Sequence, residues 1–218
     1  MKKVVLNYLV IAALVVSAAF TSCNKNGDDD KDEGGATIDK ITAKVEGGAK
    51  YNGEITTVKL AVDEYTALAT GNWNNGGFTI ELPKTVDAEY LYTVDYESTV
   101  TVSNKNAKQF CAWFIGYDAD DGLVDDFWYA KQGMVNNSLT YAEYIYVDSD
   151  VNISGTEKYS DEGYEWNFVY SLTLKKGWNI TYWVESETEK SGKTVYNGEH
   201  KNSTVSGLKW YSSEDLDW

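Results

Sequence analysis

The chain has 218 residues and a formal net charge of −15, from 34 Asp plus Glu against 19 basic residues, all of which are lysine. Because phosphate neutralisation needs a basic footprint, this composition excludes nucleic acid as a partner. The lack of arginine also removes bidentate clamps for carboxylate and phosphate groups. The remaining partners are neutral ligands such as glycans, cations and other proteins.

Residues 1–22 have the layout of a secretory signal peptide. Lys2 and Lys3 precede an apolar run over residues 4–19, and small residues lie near its end. The run is shorter than the roughly 20 apolar residues that a spanning helix needs, and acidic residues follow it. We therefore predict cleavage of this segment in preference to a retained transmembrane anchor.

The sequence Phe20-Thr21-Ser22-Cys23 resembles the lipobox of bacterial lipoproteins, although Phe20 replaces the usual aliphatic residue. The resemblance implies that Cys23 is lipidated and becomes the first residue of the mature chain, attached to the membrane by its acyl chains. Loss of residues 1–22 leaves 17 lysines against 34 acids, a formal charge of −17.

The acid-rich stretch after Cys23 contains no apolar residue up to Gly35, which predicts a flexible tether over residues 23–36. Its acids at 28–33 resemble the stretch that directs lipoproteins of the Bacteroidota to the outer face of the outer membrane. That resemblance implies a cell-surface location. The alternative is a solvated spacer that carries no address.

Alternating apolar residues predict β-strands through most of residues 37–218, and no amphipathic helical period is sustained. The shorter runs lie at 58–62, 78–82, 90–94, 100–102 and 111–117. Residues 139–147 are apolar on both faces, which predicts a central strand. Turn residues such as Asn75-Gly76-Gly77 separate the runs.

The clearest alternation covers residues 164–174, where every second residue is aromatic or leucine. A second run follows at 178–184 after Lys175-Lys176-Gly177. We predict that the two strands pair as a hairpin, with Gly177 in the left-handed conformation.

These short strands favour an all-β fold, an antiparallel β-sandwich, with a β-barrel or two small sandwich domains divided near residue 100 as alternatives. Residues 41–83 weakly resemble the transthyretin-like, carboxypeptidase-regulatory sandwich through "TTVKLAV" and "GGFTIELP". Segments over about residues 140–185, "YIYVDSDVNISG" and "LKKGWNITYW", resemble β-rich surface lipoproteins of the Bacteroidota. This second resemblance implies a fold and a location, and no activity.

Catalytic and metal-binding motifs are sparse. His200 is the single histidine, lies in a polar stretch and is expected at the surface. Cys111 lies in an apolar strand, where burial would raise the pKa of its thiol and suppress nucleophilicity. Calcium is the one plausible metal, because five carboxylates lie within nine residues: Asp118, Asp120, Asp121, Asp125 and Asp126. Their spacing does not match an EF-hand, so a solvated acidic turn is the favoured interpretation.

Exposed aromatic residues are the main functional lead, because sugar rings stack on Trp and Tyr while nearby carboxylates and amides bind hydroxyls. Trp73 lies in a polar loop, Trp128 and Tyr129 follow the acidic turn, and Trp183 lies on the face opposite Trp178. We predict ligand binding by these four residues. We expect Trp113, Trp166 and Trp178 to pack in the core.

The sequence therefore predicts a surface lipoprotein that binds an extracellular ligand, with a glycan as the favoured ligand class, without catalysis. Two alternatives are an adhesin-like module that binds a cell-surface protein and a glycosidase-type enzyme. A flat aromatic patch would favour the adhesin, whereas two facing carboxylates in a groove would favour the enzyme.

Overall fold

A computed structural model describes residues 38–63, 65–133 and 137–216. The predicted signal peptide, Cys23 and the acidic tether lie outside the described residues. The described part is all-β, with fifteen strands, three short 3-10 helices and no α-helix. The strands are β1 Lys40–Lys44, β2 Thr57–Ala61, β3 Ala67–Asn72, β4 Gly77–Glu81, β5 Tyr92–Thr93, β6 Val100–Val102, β7 Lys108–Cys111, β8 Trp113–Tyr117, β9 Leu123–Gly133, β10 Ser138–Val147, β11 Val151–Asp161, β12 Tyr164–Leu174, β13 Gly177–Lys190, β14 Lys193–Lys201 and β15 Lys209–Ser212. The 3-10 helices are Gly48–Tyr51, Ala88–Tyr90 and Ser213–Asp215.

The strands form a small antiparallel sheet, β1-β4, and a large sheet in the order β3-β2-β8-β9-β10-β13-β14-β12-β11-β6. Strand β15 also pairs with β9, β7 with β10, and β5 with β7. The large sheet is open and is not closed into a barrel, which confirms the all-β sandwich class. Its one departure from antiparallel order among the described strands is the parallel pairing of β12 with β14.

The predicted hairpin between residues 164–174 and 178–184 is wrong. Strand β14 lies between β12 and β13, so these two strands do not pair with each other. Strand β13 instead forms a tight hairpin with β14 through Ser191 and Gly192, whose φ angles of 53° and 78° are both positive. Two such residues match the twist of antiparallel strands. Gly177 does have the predicted positive φ, at 101°.

Strand β10 is central, as its apolar pattern predicts. One edge pairs with β13 along its length, and the other edge is shared by β9 and β7. Its register with β13 places Tyr141 opposite Trp183 and Glu143 opposite Thr181. Because directly opposite residues lie on the same face of a sheet, β10 contributes both core and polar side chains to the face described below.

The main core packs aromatic rings between the small sheet and the β2-β8-β9 part of the large sheet. Phe78 lies 5.2 Å from Trp210 and 6.0 Å from Phe114, measured between ring centroids. Asp125 is buried beside this core, where it accepts hydrogen bonds from the Tyr51 hydroxyl and the Ser213 hydroxyl. A buried carboxylate needs such partners to offset its lost hydration.

A second core covers only half of one face of the sheet formed by β10, β13, β14, β12 and β11. The chain from β5 to β7 runs over this face, since β7 pairs with β10 and β6 pairs with β11. Val94, Val100 and Ala107 of this segment pack with Leu172 and Leu174 of β12. The same face of β12 continues beyond this cover as Phe168, Trp166 and Tyr164.

Candidate functional site

The uncovered half of this face carries a group of aromatic rings, which we name the aromatic platform: Tyr164, Trp166 and Tyr196. Tyr164 and Trp166 are two residues apart on β12 and so point to the same side. Tyr196 of β14 pairs directly with Trp166 and, on its other side, with Glu187 of β13. Tyr164 is 46% exposed, whereas Trp166 and Tyr196 are half-buried.

The three rings lie in nearly parallel planes. Their centroids are 5.7 Å apart for Tyr164 and Trp166, 5.9 Å for Trp166 and Tyr196, and 6.4 Å for Tyr164 and Tyr196. The interplanar angles are 22°, 13° and 14°, respectively. In a stacked column the outer pair would be about twice as far apart as neighbours, so these nearly equal distances describe a triangular patch.

A cleft of about 560 Å³ lies beside the platform. This volume falls within the roughly 300–1,000 Å³ of small-molecule sites. Trp166, Phe168 and Tyr196 form its apolar side. Its other described lining residues are Gln132, Gly133, Asn137, Ser138 and Leu139 from β9, β10 and the turn between them, Glu185, Ser186 and Glu187 from β13, and Asn197 from β14.

The polar groups of the cleft are amides, hydroxyls and two carboxylates, and no lysine or histidine lies among its described lining residues. Glu185 accepts a hydrogen bond from the Tyr141 hydroxyl at 3.1 Å. Burial raises the pKa of Glu185, and this hydrogen bond offsets part of the rise. The cleft thus combines an aromatic surface with many hydrogen-bonding groups and a negative potential.

Gly198 fixes the position of Phe168 at the lower end of the cleft. The residues pair directly across β14 and β12, and a Cβ on Gly198 would lie 2.6 Å from a ring carbon of Phe168. The missing side chain lets the Phe168 ring lie over β14, where it packs edge-on against Trp183 at 6.0 Å. This glycine is therefore required for the close approach of the ring and not for a turn.

Below the cleft, a buried polar group surrounds His200. Its imidazole stacks on Trp183 with centroids 4.3 Å apart, and its Nε2 lies 2.7 Å from the Thr181 hydroxyl. Nε2 also lies 3.4 Å from a carboxylate oxygen of Glu143. Burial lowers the pKa of His200 to about 3, so the ring is neutral at pH 7. Burial also raises the pKa of Glu143.

A second cavity, of about 380 Å³, opens where β8 and β10 diverge along the same edge of β9. We name it the aromatic pocket. Its described lining residues are Ala112, Trp113, Phe114, Ile115, Leu123, Asp126, Phe127, Trp128, Tyr129, Tyr141, Ala142, Glu143, Tyr144 and Trp210. The floor is buried core, whereas Trp113 and Leu123 at the mouth are 65% and 59% exposed.

The predicted ligand-binding aromatics occupy three different places. The prediction that Trp73 binds ligand is wrong, because Trp73 is buried in the main core, where its Nε1 donates a hydrogen bond to the Asn52 side chain at 3.1 Å. Trp128 and Tyr129 line the aromatic pocket. Trp183 is half-buried between His200 and the second core, so it packs into a second layer. The structure does not bring the four residues together.

The five predicted calcium ligands do not form one site, because each has different neighbours. Asp118 closes the β8–β9 turn by accepting backbone N–H groups, Asp121 pairs with Lys59 at 2.9 Å, and Asp125 is buried beside the main core. Asp126 lines the aromatic pocket, and Asp120 lies exposed in the turn. Within the described ranges, no group of three or more His, Cys, Asp or Glu side chains could hold a metal ion.

Three further expectations about single residues are wrong or only partly right. His200 is 2% exposed and not a surface residue, because its polar neighbours in sequence alternate with it on strand β14. Trp113 is largely exposed and not in the core. Cys111 is half-buried, and burial raises the pKa of its thiol to about 12, as expected. Trp178 is buried in the main core, as predicted.

Four residues of the platform and cleft were not predicted from the sequence, namely Tyr164, Tyr196, Glu185 and Glu187, and Trp166 was expected in the core. The alternation over 164–174 does place Tyr164 and Trp166 on one face. The position of the covering segment, which leaves that end of the face open, is a long-range feature that local patterns do not contain.

Comparison with protein-family models, with curated proteins and with solved structures gave no match. The described strands and the cleft define this chain as an all-β protein with an aromatic, acid-lined cleft. No helix in the described ranges is long and apolar enough to cross a membrane.

Proposed function

We propose that this chain is a surface-anchored lipoprotein whose β-sandwich captures a neutral glycan in the cleft beside the aromatic platform. The observation that carries the proposal is the near-parallel arrangement of Tyr164, Trp166 and Tyr196 at the edge of a cleft. Sugar rings have apolar faces that pack on such a surface. Their hydroxyls need hydrogen-bonding partners, which the amides and carboxylates that line the rest of the cleft can supply.

The charge of the cleft supports a neutral ligand. Glu185 and Glu187 both line it, and its described lining includes no basic side chain that could pair with a uronate or sulfate group. An anionic glycan would bring like charges together in a partly desolvated site, which is unfavourable. The chain has no arginine to compensate elsewhere.

The shape of the site favours glycan capture over the two alternatives. A flat apolar patch would fit a protein partner, whereas these rings border a cleft. A glycosidase needs two carboxylates on opposite sides of the scissile bond. Glu185 and Glu187 are two residues apart on β13, so they project side by side from one strand.

The binding test is a titration of the purified protein with a panel of neutral and acidic polysaccharides, followed by tryptophan fluorescence and calorimetry. We expect saturable binding of a neutral glycan, weakened about tenfold or more by Trp166→Ala because stacked area is lost. Tyr65→Ala is the matched control, since Tyr65 is 93% exposed and does not line the cleft. Equal affinity for both variants would overturn the assignment to this cleft.

The anchoring part of the proposal depends on Cys23. Cys23→Ala removes the acceptor of the lipid, so we expect the protein to leave the membrane fraction. Firm membrane association of this variant would contradict the lipoprotein assignment while leaving the glycan cleft untested.

A further inference from the structure

The aromatic pocket differs in chemistry from the glycan cleft. Its described lining contains no Asn, Gln or Ser side chain, and its polar side-chain groups are two carboxylates, the tyrosine hydroxyls and the indole N–H groups. Aromatic residues supply most of its wall, and several rings meet nearly at right angles: 84° for Trp128 and Tyr141, and 90° for Phe114 and Trp210. Trp210 also stacks on Tyr129 at 26° and on Tyr144 at 15°, so the lining combines edge-on and stacked ring pairs.

The pocket carries negative charge that no cation of the described lining balances. Asp126 accepts a hydrogen bond from the Trp128 Nε1 at 2.6 Å, and its lining neighbours include no lysine or histidine. Glu143, whose side chain is 27% exposed, reaches the pocket from β10. The Nε2 atom of His200 lies 3.4 Å from a carboxylate oxygen of Glu143, but the imidazole is neutral at pH 7 because burial lowers its pKa.

Carboxylates that are partly removed from water are stabilised by a cation, and aromatic faces attract the same charge through their quadrupoles. Inorganic cations prefer a shell of several oxygen ligands, which these walls do not provide. An alkylated ammonium group carries a diffuse charge inside an apolar surface, and it matches both parts of the wall. The cavity of about 380 Å³ has the size of a small-molecule site.

We propose that the aromatic pocket binds a small organic ammonium cation, with Asp126 and Glu143 balancing its charge and Trp113 closing over it at the mouth. This site is separate from the glycan cleft and does not depend on the proposed glycan function. It assigns a role to the exposed Trp113 ring, which the main core leaves uncovered.

The test uses choline chloride as the probe and 3,3-dimethyl-1-butanol as its uncharged isostere, each titrated into the purified protein by calorimetry. We expect saturable choline binding and much weaker binding of the neutral alcohol, at matched ionic strength. Asp126→Asn, Glu143→Gln and Trp113→Ala should each weaken choline binding about tenfold. Tyr65→Ala should bind choline like the unmodified chain, and thermal melting confirms that each variant is folded.

Three outcomes would overturn the proposal. Equal affinity for choline and 3,3-dimethyl-1-butanol would show that the cavity binds apolar groups without selecting for positive charge. Unchanged choline binding in both Asp126→Asn and Glu143→Gln would place the cation elsewhere. No saturable binding of choline to the folded protein would leave the pocket without this function. The glycan titration is run on the same preparations, so a failure of either proposal is distinguished from a failure of the other.

Discussion

The neutral state of His200 should make the protein less stable as the pH falls from 7 to 5. Burial holds the pKa of this imidazole at about 3, against about 6.5 in an unfolded chain. As the pH falls below 6.5, the unfolded state binds a proton that the folded state does not, so the free energy of unfolding decreases until the pH approaches 3. The unfolded state is favoured in that window because it can solvate the imidazolium.

The magnitude follows from the two pKa values. Between pH 7 and pH 5 the linkage amounts to a loss of about 2 kcal/mol in the free energy of unfolding. For a domain of this size that corresponds to a decrease of about 1 M in the urea midpoint. Glu143 has the opposite effect on the pH dependence of stability. Burial raises its pKa, so the free energy of unfolding contributed by this residue decreases as the pH rises and the carboxyl group ionises.

The assay compares urea unfolding at pH 7 and pH 5 for the unmodified chain and for His200→Gln, which retains a polar group and does not titrate. We expect the difference between the two variants to change by about 2 kcal/mol over this interval. Since the chain contains a single histidine, its imidazole proton gives one NMR signal in a tag-free sample. Parallel stability profiles for the two variants, or a titration of that signal near pH 6.5, would refute this account of His200.

Two further predictions test the core and the thiol. Trp73→Ala should lower the free energy of unfolding by about 3–5 kcal/mol in a urea titration, because it removes a buried ring. As a control, Tyr65→Ala should change the free energy of unfolding by less than about 0.5 kcal/mol. Similar small losses in both variants would mean that Trp73 is at the surface. In a Cys23→Ala background, Cys111 of the native protein should react with iodoacetamide at pH 8 about a thousandfold more slowly than Cys111 of the urea-unfolded protein, since burial raises the pKa of its thiol to about 12. Mass spectrometry measures the extent of labelling over time, and rapid labelling of the native protein would contradict this prediction.

Alternation identified the strands of this fold more successfully than it identified their partners. The period-two pattern over residues 164–174 corresponds closely to β12, and the apolar run at 139–147 corresponds to β10. A hairpin with β13 was the natural prediction for β12, because sequential strands usually pair. The parallel contact of β12 with β14 depends on strand order across the whole sheet, which no local pattern contains.

The sequence predicted an aromatic ligand site, but it did not predict which aromatic residues border a cleft. The abundance of aromatic and acidic residues indicated a ligand for which stacking and hydroxyl binding matter. Trp73 nevertheless lies in the core although its sequence neighbours are polar, because the turn at Asn75 and Gly76 folds it back onto Phe78. Conversely, Trp166 follows a core pattern and lines a cleft, because the covering segment ends below it.

The central claim is that the aromatic platform and its cleft capture a neutral glycan. The most direct measurement is the affinity of the folded protein for the best-binding neutral polysaccharide of the panel, compared between the unmodified chain, Trp166→Ala and Tyr65→Ala. The account predicts saturable binding that weakens about tenfold or more in Trp166→Ala alone. Absence of binding to every glycan of the panel, or affinity unchanged in Trp166→Ala, would contradict it.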